Sequence, residues 1–160
     1  MKNTAFALIA GIALAASSSA IGEPAHHEHA GHEHAPGLVA FMLQVQSHHT
    51  KLWLAGNARN WELADYQIDE LKELLEDIAK AVPMYKDVPV SKMIESTVMA
   101  PIGEIESAIK ARDGKAFATA FDKLTAACNA CHEAASRGFI VIQRPAASPF
   151  PNQSFAPKRK

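Results

Sequence analysis

Both cysteines of this chain lie in one pentapeptide, Cys128-Asn129-Ala130-Cys131-His132. Cys-x-x-Cys-His is the attachment signature of c-type haem. Thiols three residues apart on a helical turn point the same way, so both can reach the two vinyl groups on one haem edge. The next histidine offers an imidazole nitrogen to the iron. The expectation is one covalent haem c on Cys128 and Cys131, with His132 as the proximal iron ligand. A disulfide between the two would close a tiny loop, and stabilisation grows with the size of the loop closed, so the pair has a chemical purpose. Two other chemistries use the same residue types. A Cys-x-x-Cys redox pair belongs beside a βαβ unit, and no alternating strands are legible here. Zinc would take the thiolates with His48, His49 or His132, but does not require His directly after the second Cys.

The elements that must position this motif read as helices. Leu38, Phe41, Met42, Val45, His49, Leu52 and Trp53 recur at the three-and-four spacing of one helix face. Gly56-Asn57 predicts a break, and Asn60 an N-cap for a second helix. That helix carries an apolar stripe of Leu63, Tyr66, Leu71, Leu74, Leu75, Ile78 and Val82 and stops at Pro83. A third periodic stretch runs from Val90 to Ile109, capped by Ser91 or its neighbours and kinked at Pro101. A fourth runs from about Lys115 to Arg137, with Phe117, Phe121, Leu124, Cys128 and Cys131 or His132 inward, and Gly138 is expected to close it. Phe139 to Ile142 is β-like but too isolated for a sheet. The fold class expected is all-α, an up-down-up-down four-helix bundle with the haem motif in its last helix and an extended Pro-rich tail.

A Cys-x-x-Cys-His motif in the last helix of such a bundle resembles the class II c-type cytochromes, cytochrome c prime and its low-spin relatives. His49-Thr50-Lys51-Leu52-Trp53-Leu54-Ala55-Gly56 and Asn60-Trp61-Glu62-Leu63-Ala64 also resemble a set of uncharacterised proteobacterial periplasmic cytochrome c proteins. The likeness spans about residues 38–157. It implies redox partner proteins and, as class II bundles are often dimers, a homodimer. The chain departs from the family in two places. Class II chains usually end soon after the motif, whereas 28 residues follow His132 here. Histidines also occur in the first helix, where cytochrome c prime leaves the distal iron face to apolar side chains.

Those histidines raise the question of a sixth ligand. If helices one and four are antiparallel neighbours, residues 42–49 face residues 128–132. At about 100° per residue, the first helix's apolar face centres close to His49, with His48 about 80° aside and solvated. His49 is the candidate distal ligand and Met42 the second choice, both being ordinary axial ligands. A hydrogen bond is the commoner fate of a lone buried histidine. Trp53 and Trp61 read as core or haem-edge packing.

The remaining segments bear on location and partners. Lys2, the apolar run Ala5 to Ala16 and Ser18-Ser19-Ala20 have the layout of a signal peptide over residues 1–20, implying export to a periplasm. Residues 21–36 form a His-rich leader (His26, His27, His29, His32, His34) without hydrophobic periodicity, expected to be disordered and a candidate transition-metal binder. The bundle is placed at residues 37–139 and the tail at 140–160. Removing residues 1–20 leaves 15 basic against 17 acidic residues, a net of −2, which is not the footprint of a nucleic-acid binder. No membrane span is expected and no catalytic constellation is legible, so the reading is a one-electron carrier and not an enzyme. The alternatives are a five-coordinate haem that binds NO or CO, and a metal-handling protein acting through its leader.

Overall fold

The computed structural model describes residues 37–159; the signal-peptide and leader segments lie outside them. The described residues form helices joined by short turns, with no strand among them. Helix α1 spans Leu38–Asn57 and α2 spans Trp61–Ala81. The third rod is composite: α3 (Val90–Met93), a π-helical turn (Ile94–Val98) and α4 (Met99–Ala111). Helix α5 spans Gly114–Ala134.

Local chemistry sets these boundaries. The Asn60 side chain accepts from Leu63 N–H at 3.3 Å, and Asp113 accepts from the Lys115 and Ala116 N–H groups at 2.9 and 3.0 Å. Each thereby satisfies N–H groups that have no partner inside the helix. At the α3 start a near neighbour of Ser91, Pro89, holds the cap position, with no side-chain bond. The Ser91 N–H instead finds the Pro83 carbonyl at 3.3 Å. The break expected at Gly56-Asn57 falls there: α1 ends at Asn57 and closes through Arg59, whose φ is 59°, as Asn60 N–H reaches the Ala55 carbonyl at 2.9 Å.

Ser136 closes α5 in the same way, in place of Gly138. Its φ is 55°, and the Arg137 N–H bonds the His132 carbonyl at 2.7 Å. This is a Schellman closure with serine where glycine is usual. The interruption expected at Pro101 is real but falls earlier, as the π turn. There Met99 N–H bonds the Ile94 carbonyl, five residues back. A regular helix would drive the Pro101 ring against the Thr97 carbonyl, and a widened turn just before it relieves that clash.

The helices pack α1 on α2, α2 on α4, α4 on α5 and α5 back on α1, around a shared apolar interior. Leu52, Ile68, Leu71, Ile78, Ile102, Ile105, Phe117, Phe121 and Leu124 are its largest fully buried side chains. On α2 the inward stripe is Ala64, Gln67, Ile68, Leu71, Leu75 and Ile78, and Tyr66, expected inside, is exposed. Tyr66 lies two residues from Ala64 and Ile68, about 200° round the helix.

Three contacts fix how α1 lies on α5. Gly56 abuts Phe117, Trp53 packs on Phe121 at 5.0 Å between ring centroids, and His49 bonds Thr125 at 3.0 Å. As residue numbers fall along α1 they rise along α5, so the pair is antiparallel. Gly56 sits in the helix because a Cβ there would overlap the Phe117 ring. Continuing the register places Met42 level with His132.

Candidate haem-attachment site

Cys128, Cys131 and His132 occupy the last two turns of α5 and are half-buried. Both cysteines are free thiols. Burial, and secondarily the neighbouring Cys131, push the Cys128 thiol up to about 11; burial also raises Cys131. These are protonated thiols at neutral pH. A redox pair needs the opposite, a thiolate stabilised at a helix N-terminus or by cations. Thiol addition to a vinyl group needs no such activation by the fold.

His132 donates from Nδ1 to the Ile140 carbonyl at 2.8 Å. That bond fixes the tautomer: the proton is on Nδ1, and the Nε2 lone pair is left for an electrophile. Metal-bound histidines are oriented by this kind of second bond.

Burial falls away on this side of the bundle. Along α1, His49, Leu52 and Trp53 are buried, whereas Met42 and Val45 are only half-buried. Val39 and Leu43 stand 73% and 66% exposed, and beyond the motif Phe139 and Val141 stand 79% and 70% exposed. Large apolar side chains in the first turns of α1 and in the segment just after the motif are therefore uncovered. Two free thiols one helical turn apart, followed at once by an imidazole with an available nitrogen, are a donor set that fits haem c.

The first-helix histidines have protein partners. His49 is 3% exposed, stacks on Phe121 at 4.4 Å and bonds Thr125 Oγ1 through Nε2. The Thr125 hydroxyl donates to the Phe121 carbonyl at 2.9 Å, so it is His49 Nε2–H that donates. Desolvation pulls the His49 pKa down to about 4, and the ring is neutral. His48, expected to be solvated, is half-buried and bonds the buried Gln67 at 3.0 Å. Neither joins the thiols, and no group of three or more His, Cys, Asp or Glu gathers to hold a metal ion among the described residues. The zinc arrangement is therefore not assembled. Trp53 and Trp61 pack on Phe117 in the core, away from the motif.

Thr125, Asn129 and the Ile140 carbonyl were not legible as site groups. Asn129 donates to the Ile142 carbonyl at 2.9 Å and accepts from the Ile142 N–H at 2.8 Å. The only sequence hint is the β-like run Phe139 to Ile142 after Gly138.

No family model matches the chain, no curated protein is significantly similar to it, and no solved structure matches it. No helix among the described residues is long and apolar enough to cross a membrane.

Proposed function

We propose that this chain is an exported, periplasmic mono-haem c-type cytochrome that carries one electron at a time between redox partner proteins. It is read as an up-down-up-down bundle whose last helix holds haem c through Cys128 and Cys131, with His132 on the iron. The observation that carries the reading is His132: its Nδ1 is tied to a carbonyl, its Nε2 is left available, and it follows directly on two free, protonated thiols in the last turns of α5.

Cys128 and Cys131 would hold the haem through their sulfurs, and His132 would offer its Nε2 to the iron. Bound haem would supply an iron that alternates between ferric and ferrous. The Ile140 carbonyl holds the His132 ring in one orientation.

For the sixth position the helix register favours Met42 over His49. Met42 is level with His132, whereas His49 is level with Thr125, about 10 Å further along the bundle at about 1.5 Å per residue. His49 also has its hydrogen-bond need met. Methionine opposite histidine raises the potential relative to two histidines.

An absorption spectrum, oxidised and reduced, with and without CO, tests this. The expected ferric protein is low-spin with the long-wavelength methionine–iron band. Met42→Ala removes the band and admits CO; His49→Ala does neither. A spectrum converted to high-spin by His49→Ala assigns the position to His49, and a high-spin wild type favours the NO- or CO-binding alternative. Haem-peroxidase staining of the denatured band should vanish with Cys128→Ala and Cys131→Ala. A protein mass equal to bare polypeptide plus zinc overturns the reading.

A further inference from the structure

The segment after α5 runs back along the helix that carries the motif, and its contacts alternate. The Ile140 carbonyl accepts from His132. Ile142 exchanges two hydrogen bonds with the Asn129 amide. Arg144 makes a fork on Asp122, Nε to Oδ1 at 2.7 Å and Nη2 to Oδ2 at 2.6 Å, and also donates to the Ala118 carbonyl at 3.1 Å. Its guanidinium lies 4.3 Å from the centre of the Trp53 ring.

The groups at 140 and 142 are backbone ones that recur at every second residue, and Arg144 adds a side-chain anchor two residues further on. On α5 their partners Ala118, Asp122, Asn129 and His132 are spaced by four, seven and three residues, which is one helix face. The alternation is thus matched to a helical stripe. Only the Ile140 contact touches the candidate iron ligand. The other two anchor the chain that presents it.

We infer that Asn129, the first variable residue of the motif, is a positioning residue. By clamping both backbone polar groups of Ile142, it holds the Ile140 carbonyl where it takes the His132 Nδ1 proton. The bidentate clamp is geometrically specific. A turn bond from the Ile140 N–H to the Arg137 carbonyl at 2.8 Å holds the near end of this segment, and the Asn129 clamp fixes its far end. A histidine that donates a firm Nδ1–H bond is a more basic ligand through Nε2, which favours ferric iron. The electrochemical consequence rests on the haem reading; the placement of the ring does not.

The test uses the full mature protein labelled with 15N-histidine, followed by NMR of the His132 ring. In the wild type the ring is the Nδ1–H tautomer with a slowly exchanging proton. Asn129→Ala speeds that exchange about tenfold or more, in line with one lost hydrogen bond. It leaves covalent haem per chain unchanged and raises the midpoint potential. Ile142→Pro removes the N–H that Asn129 accepts without altering α5; it gives the same direction and serves where Asn129→Ala does not fold. Unchanged exchange in both variants, or an Nε2–H tautomer in the wild type, overturns the inference. The tautomer and exchange results without any haem on the chain sustain the positioning role and sink the cytochrome reading instead.

Discussion

His49 lies between an aromatic ring and a hydroxyl, and its protonation couples to folding. The folded ring titrates at about 4, against an ordinary value of 6.5 once unfolded. Between those values the unfolded chain binds the extra proton and the folded one does not. Stability is therefore fully present above about pH 6.5 and is lost as pH falls towards 4. The shift corresponds to roughly 3 kcal/mol over that window. Thermal unfolding of wild type and His49→Gln at pH 7.5, 6, 5 and 4.5 should show a steeper acid loss in the wild type. Parallel curves would show that His49 titrates normally, and with it that the ring is not buried as described.

At the scale of elements, the α1–α5 contact decides which first-helix residue faces the motif. Gly56 and Phe117 fix that contact because the backbone of one helix meets the ring of the other. Phe117 is 1% exposed, packed by Trp53 and Trp61, and has little room to swing away. Gly56→Ala should lower stability by about 1–3 kcal/mol, the usual penalty of over-packing, although alanine is the better helix former. Chemical denaturation measures it. A stabilised variant would mean that the helices lie further apart, and the level assigned to Met42 would go with it. Ion pairs contribute less to this arrangement: Lys72–Glu106 and Lys123–Glu104 link α4 to its neighbours at partly exposed positions, where such pairs are worth about 1 kcal/mol or less.

For the whole molecule, the core and the motif occupy different parts of the bundle. The aromatic packing of Trp53, Trp61, Phe117 and Phe121 lies beside the start of α5, and the thiols lie at its end. The tail ties the two together through Arg144 over Trp53 and through Asn60, whose amide donates to the Ala156 carbonyl at 3.2 Å. The His-rich leader lies outside the described residues, and its composition predicts too little apolar surface to join a core. Deleting residues 21–36 should leave the melting temperature and any haem spectrum unchanged within error. A substantial loss of either would place the domain boundary earlier than residue 37.

Local features were legible in the sequence. The order of the pentapeptide is what suggests its chemistry, Asn60 announced a cap, and the 3.6-residue recurrence of Leu and Ile announced helices. Each of these depends on residues within one or two turns of one another. What the tertiary structure decided was every question of who faces whom. Periodicity put His49 at the centre of a stripe, but only packing supplied Thr125 as its partner and aligned Met42 with His132. Tyr66 was misread because a single helix admits neighbouring phases of its apolar stripe, and the other helices select one. The tail read as an isolated β-like run because its partners are groups of α5 up to 26 residues away in sequence, and Asn60, 96 residues from Ala156. No local pattern encodes a distance of that kind.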